Sequence, residues 1–224
     1  MAKKLTDPER QIIDTLARGR AATARQLQRL HFTNASPRSN ARMAQRSLRK
    51  LTDLRVVTRL ERAPGGYGGG SAGNVYSLDV AGIKLANPDI DKAVRKPWPL
   101  SHLFLEHTLE VMEWYVRLVE NERLGGLKVM DYTAEPKSWR YYVSGMGGRA
   151  TLKSDAFVRL ASDEWEEDWF LEIDRDTEHV PALERQLARY VDYWRSGTEQ
   201  ARNEVFPHVL WIVPSARRYG ELVS

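Results

Sequence analysis

The chain has 224 residues, of which 42% are hydrophobic, 34 are Lys or Arg and 30 are Asp or Glu. This composition is ordinary for a globular protein with a sizeable core, and it argues against a disordered chain. The absence of cysteine excludes disulfides, thiolate nucleophiles and cysteine-based zinc sites. Apolar runs stay short of the roughly 18 residues that cross a bilayer, and MAKKLTDPERQ lacks the apolar core of a signal peptide. We therefore expect a cytoplasmic protein without a membrane partner.

The net charge of +4 is divided unevenly along the chain. Residues 1–62 carry 15 Lys or Arg against 5 Asp or Glu, whereas residues 101–224 carry 15 against 22. Clustered basic residues gain free energy by releasing counterions from a polyanion. The first part of the chain is therefore expected to face nucleic acid, the alternative being a solvated basic surface.

Three helices are predicted before residue 55. Apolar residues recur at helical spacing from Pro8 to Arg18, and again from about Thr23 to Leu30. A third helix opens with Ser36 as its N-cap and Pro37 at its first position, where the missing N–H costs nothing.

The third helix has an apolar back and a basic front. Its back is a stripe at steps of three and four residues, namely Ala41, Ala44, Leu48 and Leu51. No acid interrupts the segment 38–50, so no i, i+4 ion pair can form within it, which favours nucleic acid over a solvated face. The arginines are expected to read guanine or to hold phosphates, and the two amides to read adenine. The predicted DNA contacts are Arg38, Asn40, Arg42, Gln45, Arg46, Arg49 and Lys50.

Two predicted strands, RVVTRLER and NVYSLD, flank the glycine-rich loop APGGYGGGSAG. Three helices followed by a hairpin is the order of a winged helix-turn-helix, in which the third helix enters the major groove and the wing touches the backbone. The loop lacks the Lys-Ser or Lys-Thr and the strand-to-helix context of a phosphate-binding loop. It is predicted to be the tip of the wing.

A proline-rich segment, ANPDIDKAVRKPWPL, predicts the division of the chain into domains. The predicted parts are a winged helix-turn-helix domain over 1–86, a linker over 87–99 and a second domain over 100–224. The second domain opens with a long helix from about Leu100 to Glu122, and this helix is the candidate contact of a homodimer.

The second domain is predicted to mix strands and helices. Four strand-like segments, KVMDYTAE, WRYYVSG, TLKSDAFVRL and EDWFLEID, precede a helix over about Val180 to Arg195. The apolar run in FPHVLWIVP suits a last buried strand. The expected fold class is therefore α+β or α/β.

The strands TLKSDAFVRL and EDWFLEID form a predicted hairpin in which facing residue numbers sum to about 327. This register joins an aromatic pair, two pairs of opposite charge and one pair of acids. The facing pairs are Phe157–Phe170, Arg159–Asp168, Lys153–Asp174 and Asp155–Glu172.

Asp155 and Glu172 form the pair that needs a physical reason. Two carboxylates directly opposite each other repel, unless a proton or a divalent cation relieves the repulsion. Mg²⁺ and Mn²⁺ prefer oxygen ligands of this kind. Two other interpretations stay open: both acids point to water, or the register differs by two residues.

These residues resemble a known fold. Asp155, then Glu172 and Asp174 on the next strand, and Gln186 and Tyr190 in a Q-x-x-x-Y pattern resemble the PD-(D/E)xK nuclease-like fold, whose order is αβββαβ. Over nearly its full length the chain more specifically resembles the replication-relaxation proteins of plasmids and integrative elements. The segments that carry this likeness are the winged helix, LEHTLEV, SDAF and FLEIDRDTE. The resemblance implies duplex DNA binding and a Mg²⁺ or Mn²⁺ ion held by Asp155 and Glu172.

Two positions depart from the nuclease pattern. Ser154 stands where proline is usual, and Asp174 stands where active nucleases commonly place lysine. Lys153 is the candidate for a migrated lysine, the alternative being a plain ion pair with Asp174. Gln186 and Tyr190 are expected to contact DNA, to support the metal ligands or to cap the sheet. Glu110 is the candidate acid of the first helix of this fold, the alternative being an ordinary surface residue.

Two functions of different classes follow. In the first, the chain is a DNA-binding protein of a plasmid or mobile element that acts in replication initiation, DNA relaxation or conjugative transfer. Its nuclease-like domain then serves for dimerisation or for docking a replication or transfer protein. In the second, that domain is a metal-dependent nickase or endonuclease that uses Asp155 and Glu172. The missing motif lysine favours the first function.

Overall fold

A computed structural model describes residues 5–60, 73–89, 101–176 and 179–223. Helices and sheets are both present, which confirms the mixed α+β class. The chain divides into two compact units, residues 1–125 and residues 126–224. None of the helices in the described ranges is long and apolar enough to cross a membrane.

The first unit combines five helices with a small sheet over its described residues. The elements are α1 (Asp7–Gly19), β1 (Ala21–Thr23), α2 (Ala24–His31), α3 (Pro37–Asp53), β2 (Val57–Leu60), β3 (Val75–Leu78), α4 (Val80–Ala86) and α5 (His102–Arg123). The three predicted helices are confirmed, while the sequence did not predict β1 and α4. In the antiparallel sheet β3 is central, and the strand order is β1-β3-β2.

Local hydrogen bonds fix where the helices of the first unit begin. At α2, Gln26 N–H donates to Thr23 Oγ1 over 3.1 Å and Thr23 N–H donates to Gln26 Oε1 over 2.9 Å, which makes a capping box. At α3, Ser39 N–H donates to Ser36 Oγ, and Pro37 takes the first helical position. The predicted start of α3 is therefore confirmed.

The core of the first unit lies among its helices. Ile12 and Leu16 of α1 are buried, as are Leu27 and Leu30 of α2. The predicted apolar back of α3 packs against them through Ala44, Leu48 and Leu51, which leaves the other side of that helix at the surface.

Helix α5 belongs to the first unit, whereas the sequence predicts it at the start of the second domain. Its Met112 and Val116 are buried in the core of the first unit, and Gln26 Nε2 donates to the carbonyl of Leu109 over 2.9 Å. This side of α5 is therefore covered within the first unit, and the homodimer contact on this helix stays a prediction. Most of the predicted linker, residues 90–99, and the predicted wing tip up to residue 72 lie outside the described residues.

The second unit mixes strands and helices. Its elements are β4 (Lys128–Ala134), β5 (Arg140–Val143), β6 (Arg149–Leu152), β7 (Ala156–Ala161), β8 (Glu166–Ile173), α6 (Val180–Arg195), α7 (Thr198–Asn203), β9 (His208–Ile212) and α8 (Ala216–Val223). Four strands form a sheet in the order β4-β7-β8-β9. The first three strands are antiparallel, and β9 runs parallel to β8. A separate hairpin joins β5 to β6.

The predicted register between β7 and β8 is confirmed within the ladder. Phe157 faces Phe170 and Arg159 faces Asp168. The ladder ends one step before the predicted carboxylate pair, because TLKSDAFVRL is broken at residues 153–155 and its first part forms β6 in another sheet. At the break, Ser138 Oγ donates to the carbonyl of Ser154 over 2.5 Å. The Asp155–Glu172 and Lys153–Asp174 ladder pairs are therefore wrong.

Helix α6 packs on one face of the sheet through aromatic side chains. Phe170 lies with its ring centroid 5.8 Å from that of Tyr190 and 6.5 Å from that of Tyr193. Because side chains alternate along a strand, Glu172 lies on the same face of β8 as Phe170. This alternation brings the buried Glu172 carboxylate against α6.

Candidate functional site

The exposed face of α3 is the first candidate site. Four arginines and one glutamine occupy it, and among the described residues none of these arginines has an ion-pair partner. The helix also has no acidic residue in its first turn. Guanidinium groups that form no ion pair within the protein are available to bind an external anion. The exposed residues are Arg38, Arg42, Gln45, Arg46 and Arg49.

Asn40, which was predicted to read adenine, is buried and serves the turn before α3. Its Nδ2 donates to the carbonyl of Ala35 over 2.9 Å, and its Oδ1 accepts the Ala35 N–H over 3.2 Å. Both ends of the amide are therefore used inside the protein, so Asn40 holds the turn between α2 and α3 and does not lie on the exposed face.

Lys50, the last predicted DNA contact, joins α3 to α1. Its Nζ lies 2.7 Å from Oε2 of Glu9, a buried residue. Burial alone would raise the pKa of Glu9, but hydrogen bonds from Lys50 and from the Thr6 N–H outweigh it and lower that pKa. The structure thus gives Lys50 a partner that the exposed arginines lack.

An open cleft of about 490 Å³ lies between α2 and α3, next to the basic face. Arg29 of α2 lines it and donates to both carboxylate oxygens of Glu120 and to Glu113 over 2.6 Å. The hydrogen bond to Glu120 is the largest contribution that raises the pKa of Arg29. Glu113 and Glu120 of α5 therefore hold α2, and Glu110 lies on this same helix of the first unit.

The second candidate site lies where α6 meets the end of β8. Oε1 of the buried Glu172 accepts hydrogen bonds from Gln186 Nε2, over 3.1 Å, and from the Tyr190 hydroxyl. Burial, and then the charges of Glu172 and Asp155, raise the pKa of Tyr190, which keeps its hydroxyl a donor. The structure thus brings together three of the predicted site residues, and the Q-x-x-x-Y pattern holds a carboxylate.

Asp155 lies just before β7, beside the same strand end. Its Oδ2 accepts the N–H of Ile173 over 2.7 Å, so the side chain caps the end of the β7–β8 ladder. Gln186 Nε2 also donates to the carbonyl of Lys153 over 3.1 Å. Asp155 and Glu172 therefore lie at the same end of β8. Asp155 binds the backbone of Ile173 there, and Gln186 of α6 contacts both Glu172 and the Lys153 carbonyl.

Asp174 and Lys153 do not pair with each other, and each contacts a different residue. Oδ2 of the buried Asp174 lies 2.5 Å from Nε of Arg218, which α8 supplies. The ammonium of Lys153 lies 4.6 Å from the ring centroid of Trp139, at cation–π distance. The predicted ion pair is replaced, and no sequence pattern had pointed to Arg218.

Comparison with known proteins supports one relationship. The model of the replication-relaxation family matches residues 13–209. The chain belongs to the replication-relaxation family. The matched region includes α3 and the residues around Glu172, while Arg218 of this replication-relaxation protein lies beyond it. Neither curated proteins nor solved structures give a significant match.

The side chains of this replication-relaxation protein fit a divalent cation poorly. Mg²⁺ and Mn²⁺ favour about six oxygen ligands, commonly with several carboxylates. No group of three or more His, Asp or Glu in the described part of the chain is arranged to hold a metal ion. Asp174, the third acid of the motif, is neutralised by Arg218, and one oxygen of Glu172 already accepts two hydrogen bonds.

Proposed function

We propose that this replication-relaxation protein binds double-stranded DNA through the exposed face of α3, which acts as the recognition helix of a winged helix-turn-helix. Family membership suggests a role in the replication or relaxation of a plasmid or mobile element. We place its action in replication initiation, DNA relaxation or conjugative transfer. The observation that carries the proposal is the row of exposed arginines without ion-pair partners among the described residues.

The architecture of the first unit supports the winged-helix assignment. Its elements follow the order α1-β1-α2-α3-β2-β3, in which a short turn joins α2 to α3 and two antiparallel strands follow. This is the order of winged helix-turn-helix proteins, whose third helix enters the major groove. The 17 residues of α3 extend about 25 Å, long enough to lie across a groove about 12 Å wide.

The charge pattern of α3 supports a DNA ligand over a merely solvated surface. Arg38 stands in the first turn, where the helix dipole disfavours a cation and where no acid compensates for it. Arg42, Arg46 and Arg49 continue the same charge along the helix. A surface helix that only needed solubility would gain from i, i+4 ion pairs, whereas a row of arginines gains free energy from phosphates.

The second unit is proposed to act through contacts with proteins. The carboxylates of its candidate site are satisfied by Gln186, Tyr190, Arg218 and the Ile173 N–H, and these contacts connect α6 and α8 to the residues at the end of β8. A unit stabilised in this way suits dimerisation, or docking of a replication or transfer protein. The nickase alternative has no described side chain in the role of the motif lysine.

Binding of a fluorescent duplex, followed by anisotropy, tests the proposal. Replacing Arg42 and Arg46 by Ala should weaken binding by about 10-fold to 100-fold, since each lost contact is worth about 1 kcal/mol or more. The matched control removes two exposed arginines of the second unit, Arg149 and Arg202, and should change affinity less than about twofold. Equal losses in the two double variants would refute the assignment to α3.

A further inference from the structure

Helix α6 carries an exposed apolar stripe. Leu187, Val191 and Trp194 are 46%, 45% and 55% exposed, and they follow one another at steps of four and three residues. The same helix buries Tyr190 and Tyr193 against the sheet, so the stripe is additional to its packing face. A tryptophan and two aliphatic side chains exposed on successive turns form an apolar patch of the kind that occurs at protein–protein contacts.

Two opposite charges lie at the ends of this stripe. Glu184 stands one turn before Leu187, and Arg195 follows Trp194 directly. Both are exposed, and neither forms an ion pair with any residue that the structure describes. The stripe therefore has an acidic end and a basic end, and both charges are available to a partner.

We infer that α6 packs antiparallel against α6 of a second copy of this chain, about a two-fold axis between Arg189 and Tyr190. This arrangement places Glu184 of each copy opposite Arg195 of the other, and Ala188 opposite Val191. The two ion pairs lie about 16 Å apart along the helix, one at each end of the apolar stripe. A parallel pair would set Glu184 against Glu184 and Arg195 against Arg195, so the charge pattern selects the antiparallel dimer.

The size of the contact sets the expected affinity. One pair of helices buries less than the roughly 800 Å² per partner of a standard protein interface. The dimer is accordingly weak in solution, with a dissociation constant of about 1 to 100 µM. If the proposed function holds, a two-fold DNA site would bring two copies together and favour the dimer further.

Sedimentation equilibrium of the full chain tests this inference by charge exchange. The wild type should show a monomer–dimer equilibrium, and Glu184→Arg or Arg195→Glu alone should weaken the dimer by about 10-fold or more. The double variant Glu184→Arg/Arg195→Glu should restore it, as should an equimolar mixture of the two single variants. Circular dichroism should show unchanged folding, since both side chains are exposed.

Each result of these experiments either supports the antiparallel dimer or overturns it. A wild type that stays monomeric up to about 100 µM would overturn the inference, as would a dimer that survives either single charge reversal. A double variant that remains monomeric would overturn the antiparallel arrangement. Trp194→Ala should weaken the dimer as well, whereas Arg202→Ala should not. These results stand apart from the proposed DNA binding, because the variants leave every exposed residue of α3 in place.

Discussion

The carboxylate of Asp174 is held by the guanidinium of Arg218, which comes from the last helix of the chain. Both side chains are buried, and the hydrogen bond to Asp174 is the largest contribution that raises the pKa of Arg218. The acid at the position that the resemblance equates with the lysine of nuclease-like proteins is thus neutralised inside the protein. The pair connects the residue after β8 to α8, and it indicates a structural use for Asp174.

Removing Arg218 should destabilise the second unit. In Arg218→Ala the buried Asp174 carboxylate loses its countercharge, so the melting temperature measured by calorimetry should fall. Asp174→Asn in the same chain should recover part of the loss, because it removes the uncompensated charge. The control is Arg217→Ala, whose side chain is 65% exposed and which should have a smaller effect. Equal melting temperatures for Arg218→Ala and the wild type would contradict this role.

The hydrogen bond from Tyr190 to Glu172 should contribute measurably to stability. Tyr190→Phe leaves a buried carboxylate with one donor fewer, so the free energy of unfolding should fall by about 1 to 3 kcal/mol. Denaturant unfolding measures this difference. In a Glu172→Gln background the same change should cost less, since the charged acceptor is gone. Additive losses in the double variant would show that the two side chains do not interact.

His31 should make the first unit sensitive to acid. Burial, followed by the charge of Arg123, lowers its pKa from 6.5 to about 4, and its Nε2 lies 3.0 Å from Thr15 Oγ1. Because the unfolded chain binds the proton more readily, stability is fully present above about pH 6.5 and falls as the pH drops toward 4. The loss should reach roughly 3 kcal/mol. Hydrogen exchange of α1 and α2 amides between these pH values, compared with His31→Gln, measures it. Parallel pH dependences in the two proteins would contradict the assignment.

The hydrogen-bonded carboxylates of the second unit bear on the nickase alternative. Because Arg218 neutralises Asp174 and one oxygen of Glu172 accepts two hydrogen bonds, supercoiled plasmid incubated with the protein and Mg²⁺ or Mn²⁺ should remain supercoiled. Asp155→Ala and Glu172→Ala should then behave like the wild type in this assay. Nicking by the wild type that both substitutions abolish would establish the enzyme and overturn this conclusion.

The residue pairs of the β7–β8 ladder could be predicted from the sequence, but the position where the ladder ends could not. Phe157 and Phe170, like Arg159 and Asp168, identify each other because cross-strand neighbours interact directly. The break before β7 depends on Ser154, whose carbonyl accepts a hydrogen bond from a side chain sixteen residues away. No local periodicity encodes such a contact, so the predicted ladder was extended one step too far, to Asp155 and Glu172.

Exposure on α3 could be predicted in part. The apolar stripe set the buried side of the helix, and five of the seven predicted contacts lie at the surface. Asn40 differs because its amide is hydrogen-bonded to the backbone of Ala35. Lys50 differs because it pairs with the buried Glu9 of another helix. The partner of Asp174 was missed for the same reason, since Arg218 is forty-four residues away and reaches it only in the folded chain.

The salt dependence of DNA binding tests the central claim most directly. Arg46→Gln and Lys50→Gln each remove one positive charge from α3, but only Lys50 is held by Glu9. The slope of log K against log salt concentration should become shallower by about 0.9 in Arg46→Gln, since one phosphate contact is lost. In Lys50→Gln the slope should stay at the wild-type value. Two variants with the same slope, or a wild type that does not bind duplex DNA, would contradict the account.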